Sequence, residues 1–223
     1  MCFLVIIVVK GWYLVNNKDL QKVVLGMGWF WGTDAQLASL KGVYQTKVGY
    51  AGGTTSNPTY RQMGDHSECV EIVFDPKTIS IEKLVQHFWT IHNPNRANYK
   101  GRQYLSILLF ENAEQEHIVC KIKGEIELQL GEAIQTEIAP LQKFTLAEDK
   151  HQKYYLKRYP KAYATLLEYY GSHEFFTNST FVARLNGFVK GYCTLSDIKN
   201  EISNYPSEEK RFELIRLITS LKW

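Results

Sequence analysis

No two of the four cysteines, Cys2, Cys69, Cys120 and Cys193, are spaced as a CxxC pair. That argues against a zinc knuckle and gives no sign of a disulfide framework. Charge of one sign is scarce too: 26 basic against 23 acidic residues leave a net charge of +3. So small an excess does not predict binding to nucleic acid or to an acidic membrane surface. Long apolar runs are also missing. The run at residues 2–9 is far shorter than the ~20 residues needed to span a bilayer. As a leader it lacks a basic n-region and a clear small-residue cleavage site. An edge or buried strand, or an incorrectly chosen start codon, accounts for it as well. It assigns no compartment, and a cytoplasmic location is the favoured expectation.

What is present is ordinary for a globular chain. Of 223 residues, 45% are hydrophobic and 22% charged, with 15 Gly and 6 Pro. This excludes a disordered chain, a collagen and a coiled coil, and suits one sizeable core with appendages. Aromatics reach 13%, with 14 Tyr, which points to aromatic pockets or a tyrosine-rich core.

Period and punctuation predict a strand over 22–27, a helix over 34–40 closed by Gly42 in a left-handed conformation, and a strand over 43–50. A glycine- and proline-punctuated loop follows over 51–60, then a strand over 68–74. Ile81, Leu84, Val85, Phe88 and Trp89 fall at helical spacing before His92-Asn93-Pro94. A strand over 104–110, a helix over 112–130 backed by Gly131 and a last strand over 134–138 come next. Beyond residue 144 the pattern is helical, near 151–159, 162–170, 180–190 and 195–205. The finish over 208–221 is amphipathic, with Phe212, Ile215, Leu217, Ile218 and Leu221 apolar. Strands mixed with helices, then helices alone, indicate an α+β core with a helical C-terminal extension.

Gly26-Met27-Gly28-Trp29-Phe30-Trp31-Gly32 leaves a strand through glycines and opens a helix. Residues after Gly28 thus sit at a helix N-terminus, where negative charge is favoured and a thiolate would be reactive. This segment resembles the GCFWG motif of the peptide methionine sulfoxide reductase A family. The resemblance continues in Val48-Gly49-Tyr50-Ala51-Gly52-Gly53, Asn57-Pro58-Thr59-Tyr60 and Gly64-Asp65-His66-Ser67-Glu68. It extends through Phe88-Trp89, His92-Asn93-Pro94, Gln103-Tyr104, Ala147-Glu148-Asp149 and His151-Gln152, with a looser match at Arg184-Leu185-Asn186-Gly187.

The resemblance implies an α+β fold, a mixed sheet with packed helices of the ferredoxin-like plait type. The expected division is an N-terminal segment (1–21), a catalytic domain (22–190) and a helical C-terminal extension (191–223). It implies reduction of methionine-(S)-sulfoxide, free or in proteins, recycled by a thioredoxin-like reductant, with no metal or organic cofactor. That chemistry needs a nucleophile for sulfur, an acid for the departing oxygen and an apolar cage for the methyl. By resemblance Phe30 and Trp31 match the cage. Glu68 matches the acid, kept protonated by an apolar surround, and Tyr60 and Tyr104 match the hydroxyls that hold the oxygen. Taken singly, the aromatics would be packing residues and Glu68 a solvated charge; only the ordered set says otherwise.

Position 29 departs from the family, which has cysteine there. An indole cannot form the sulfenic acid that completes the reaction. Selenocysteine occurs at this position in some members and is specified by UGA, one base from the Trp codon UGG. A UGA rendered as Trp and a true Trp both remain open, the second leaving an inactive paralogue with a binding or structural role. Asp34 stands where many members have Glu, Asn93 replaces the Asp of the usual HDP motif, and Tyr99 occupies the place of an active-site Asp. Among other thiols, Cys69 should face away from Glu68, its strand neighbour, and Cys120 is expected to be a buried filler. Cys193 lies in the region from which members often supply a recycling thiol. A bulky Trp29 is expected to fill the pocket floor.

Overall fold

The structure, a computed structural model, describes residues 20–95 and 101–223. The apolar run at 2–9, with Cys2, and Tyr99 lie outside the described residues. The chain runs β1 (Gln21–Met27), α1 (Phe30–Leu37), β2 (Val43–Ala51), β3 (Ser67–Phe74), α2 (Ile81–Thr90) and β4 (Ser106–Phe110). The four strands among these six elements pair as β4-β1-β3-β2, all antiparallel. That is the split βαβ arrangement of a ferredoxin-like plait. After α3 (Ala113–Leu130), β5 (Glu137–Pro140) extends the sheet parallel to β4, and β6 (Phe144–Leu146) extends the other edge against β2. The expected fold class is the one observed.

Alternation along the strands divides the sheet into two faces. Val23, Leu25, Val48, Tyr50, Val70, Ile72 and Phe74 point into the larger core, under α1, α2 and α3. Val24, Cys69, Ile107 and Leu109 form a smaller cluster on the opposite face, closed by Leu141 and Phe144. Glu68 is in phase with Val70 and Ile72, so its carboxyl joins the helical side. Cys69 points away, as the period of two requires.

Six helices complete the chain: α4 (Tyr154–Lys157), α5 (Pro160–Tyr170), α6 (His173–Asn178), α7 (Thr180–Lys190), α8 (Leu195–Ser203) and α9 (Glu208–Ser220). They share a second core of Leu166, Phe181, Leu185, Ile198, Ile202, Leu214 and Leu217. Gly187 of α7 allows close approach to α1: a Cβ there would lie 2.9 Å from the Ala35 carbonyl. Among the described residues no helix is long and apolar enough to cross a membrane.

Several expectations need correction. The first helix starts at Phe30, not near residue 34, because Phe30 is buried in the core and tertiary packing overrides weak local propensity. Gly42 does have positive φ, but in the turn into β2, beyond the Ala38 C-cap. The strand expected from 104 starts at Ser106, after a 3-10 turn at Gly101–Tyr104. The strand expected over 134–138 is Glu137–Pro140, and it is not the last, since β6 follows it. A continuous helix over 151–159 is interrupted by Lys153, which has φ 53°. Cys120 is exposed, since the inner stripe of α3 is Gln115, Val119 and Ile122. Phe212 is 61% exposed, and Leu214 takes the buried place on α9. Neither β6 nor α6 was expected.

Candidate active site

The strand-to-helix turn sets the site. β1 ends at Met27, Gly28 turns with φ 106°, and Trp29 is the N-cap of α1 with extended backbone. Trp29 makes no side-chain cap. The first helical N–H, that of Phe30, is instead taken by Glu68, whose Oε2 accepts it at 3.1 Å. Cap substitution by a carboxylate from another element satisfies one of the orphan donors at a helix start.

Glu68 sits near the start of β3 opposite Tyr50 of β2. It is 2% exposed, and burial raises its pKa above the ordinary carboxylate value. The Gln103 amide and the Phe30 N–H oppose that rise without cancelling it. Gln103 Nε2 donates to Glu68 Oε1 at 2.9 Å and to the Tyr104 hydroxyl at 3.0 Å. The 3-10 turn that displaced the start of β4 is what aims Gln103 and Tyr104 here. One amide therefore ties the acid to one of the two expected hydroxyls.

The aromatic wall is continuous. Phe30 is buried, with its ring 6.3 Å from Tyr60 and 6.1 Å from Tyr50. Trp31 is half-buried and stacks on Tyr154 at 3.9 Å and 7°, with Tyr60 6.3 Å away and nearly parallel. Burial, and Glu68 when ionised, raise the Tyr60 pKa, keeping the phenol protonated. Tyr60 is held through its backbone: its N–H donates to Glu148 Oε1 at 3.3 Å, while Glu148 Oε2 accepts the Tyr50 hydroxyl at 2.7 Å. Behind these rings lies His151, 4.5 Å from the Tyr60 ring and bonded to the Trp31 indole.

Phe30, Trp31, Tyr60, Glu68 and Tyr104 thus gather around the start of α1. Trp29 does not fill a pocket floor. Its indole is 60% exposed and leans on Tyr104, ring centroids 6.1 Å apart. Cys193 is not brought to this group. Its thiol donates to the Arg184 carbonyl at 3.5 Å, and Arg184 binds the carbonyl of Ala38, at the opposite end of α1 from Trp29. Burial pushes the Cys193 thiol up to about 11, against thiolate formation. Cys69 is fully buried, and its thiol is raised further. Sequence reasoning assigned no role to Gln103, Glu148, His151 or Tyr154. The first three lie in recognised motifs, and that was the only available signal.

Among the described residues no group of three or more His, Cys, Asp or Glu could hold a metal ion.

A family model described as peptide methionine sulfoxide reductase matches residues 21–182. A peptide methionine sulfoxide reductase of Drosophila melanogaster is 39% identical over 186 residues, covering 83% of this chain and 74% of that protein. Peptide methionine sulfoxide reductase MsrA of Methanosarcina acetivorans is 38% identical over 152 residues, covering 64% of this chain and 81% of that protein. The crystal structure of Mxr1 from Saccharomyces cerevisiae in reduced form superposes with a TM-score of 0.60 at 30% identity, covering 65% of this chain and 88% of that one. With the buried Glu68 carboxyl on the first N–H of α1 and an aromatic wall beside it, these matches place the chain in the peptide methionine sulfoxide reductase family.

Proposed function

We propose that this chain carries the site for reducing methionine-(S)-sulfoxide, free or in proteins, with the reacting group at position 29. The observation that carries the reading is the 3.1 Å bond from the Phe30 N–H to Glu68 Oε2, which puts a buried carboxyl, its pKa raised by burial, beside position 29. A thiol or selenol there attacks the sulfoxide sulfur while Glu68 delivers a proton to the oxygen. The S–O bond breaks as the protonated oxygen passes to the attacking sulfur or selenium. The transient bond between that atom and the substrate sulfur is released with methionine as the leaving group, and a sulfenic or selenenic acid stays on the protein. Phe30 and Trp31 enclose the methyl, and Tyr60 and Tyr104 hold the oxygen. An external dithiol of the thioredoxin type then reduces the acid, giving water and a disulfide. The exposure of position 29 suits an external reductant, and Cys193 at the far end of α1 does not.

With indole at position 29 the chain has the acid, the hydroxyls and the cage without the attacking atom. A UGA codon at this position makes it a selenoenzyme. A UGG codon makes it a paralogue that binds without turnover, a reading favoured by the solvent-facing pose of Trp29.

The test is consumption of an S-sulfoxide substrate with dithiothreitol. The Trp29 form should be inactive, as loss of a covalent nucleophile costs several orders of magnitude. Trp29→Cys should turn over, and Glu68→Gln on that background should lose about 100-fold or more, the range of general acid catalysis. A folded but inactive Trp29→Cys protein would support the binding reading. Full activity with Trp29 would place the nucleophile elsewhere.

A further inference from the structure

His151 belongs to a motif that the proposed chemistry leaves unused. The indole N–H of Trp31 donates to His151 Nδ1 at 3.3 Å, and the two ring planes lie 22° apart. An indole nitrogen donates and never accepts. His151 Nδ1 must therefore accept, which assigns the proton of the neutral ring to Nε2. Among the described residues the buried Nε2 has no hydrogen-bond partner, with Glu148 Oε2 3.8 Å away. That carboxylate is occupied by the Tyr50 hydroxyl and the Tyr60 N–H. Trp31 is thus held on its face by Tyr154 and on its edge by His151.

We propose that His151 is a positioning residue that fixes the rotation of the Trp31 indole, and with it the shape of the methyl-binding cage, only while its imidazole is neutral. The inference rests on the reading of Phe30 and Trp31 as that cage. Protonation puts a hydrogen on both ring nitrogens, so two N–H groups would face each other across the Trp31 contact. The groups around the ring oppose protonation on balance. Burial disfavours the cation most; Glu148 favours it, while Lys150 and Lys157 disfavour it. On its other side lie the Tyr60 ring, 4.5 Å away and with a raised pKa, and the apolar Phe30 ring at 5.5 Å. His151 therefore titrates below the ordinary imidazole value, and the indole is held at neutral pH and released toward acid.

The experiment follows the Trp31 indole N–H resonance in the ¹⁵N-labelled chain as written, assigned by its loss in Trp31→Phe. The resonance should move sigmoidally with a midpoint below ~6.5, the unperturbed histidine value. His151→Asn offers an amide oxygen that still accepts but does not titrate, so the shift should vanish while the neutral-pH position stays near that of the parent. His151→Phe, with no acceptor, should sit near the acid-limit position at every pH. On the Trp29→Cys background, His151→Phe should raise KM for a methionine sulfoxide peptide by about tenfold, more than it lowers kcat, consistent with one lost hydrogen bond. His151→Asn should recover most of that KM and lack its rise in acid. A pH-invariant Trp31 resonance in the parent chain, or an unchanged titration in His151→Asn, would overturn the proposal. An inactive Trp29→Cys protein would instead sink the catalytic reading and leave the resonance measurement to decide the role of His151.

Discussion

Lys153 Nζ lies 2.8 Å from Asp34 Oδ1 although the two residues are 119 apart in sequence, and both side chains are fully buried. Each charge is also satisfied by neutral groups. Asp34 accepts from the Thr46 hydroxyl and the Asn186 amide, and Lys153 donates to the Thr46 carbonyl and hydroxyl. The cluster joins α1, β2, the segment before α4 and α7. It anchors the base of α1, whose N-terminus carries the site, to the chain that supplies Glu148 and His151. A buried pair of this kind is weak evidence of net stability but costly to break on one side. Lys153→Met should lower the unfolding free energy by about 3–5 kcal/mol, measured by urea denaturation. Adding Asp34→Asn should return a substantial part of that loss, because no uncompensated charge would then remain. Equal destabilisation by the single and double variants would show that packing, not charge pairing, holds this junction.

Glu68 gives stability a distinctive pH dependence. Its folded-state pKa is raised, so the native protein keeps a proton that the unfolded chain has released. Between the ordinary value of ~4.3 and the raised one, stability should fall as pH rises, then level off. Glu68→Gln cannot titrate. The difference in unfolding free energy between the two proteins, measured across this window, should carry the slope. A difference independent of pH would contradict a proton-retaining acid at this position.

Gly49 makes room for β6. A Cβ there would lie 2.3 Å from Phe144 Cζ and 2.4 Å from the Thr145 carbonyl, closer than packed atoms tolerate. Gly49→Ala should therefore displace β6 and cost about 1–3 kcal/mol, the usual range for overpacking. Hydrogen exchange reads this locally: the Ala147 N–H, bonded to the Val48 carbonyl at 3.0 Å, should lose protection. Retained protection would mean that β6 shifts as a unit without unpairing.

Removing residues 191–223 cuts through one apolar cluster. Phe181 and Leu185 of α7 pack with Ile198 and Ile202 of α8 and Leu214 and Leu217 of α9. Arg184, buried on α7, would lose both of its bonds to Glu201, 2.7 and 2.9 Å long. The truncated chain should bind a hydrophobic dye and melt several degrees lower or aggregate, since exposed apolar surface of this extent promotes association. A truncated chain with unchanged melting temperature would show that α8 and α9 are dispensable to the core.

What the sequence by itself determined is local or periodic. Helix α2 follows from apolar residues at 3.6 spacing ahead of His92-Asn93-Pro94, and the end of α3 from Gly131. The opposite directions of Glu68 and Cys69 follow from the strand period of two. The ordered motifs likewise carried the family and the residues gathered at the start of α1. What only the tertiary structure decided involves partners far apart along the chain. Helix α1 begins at Phe30 because the sheet buries that ring and Glu68 caps its N–H from 38 residues away. Gln103 meets Glu68 across 35 residues and His151 meets Trp31 across 120. Lys153 is fully buried only because Asp34, Thr46 and Asn186 converge on one point. No local propensity encodes such pairings, because each bond exists only once the sheet register and helix packing have brought its two ends together.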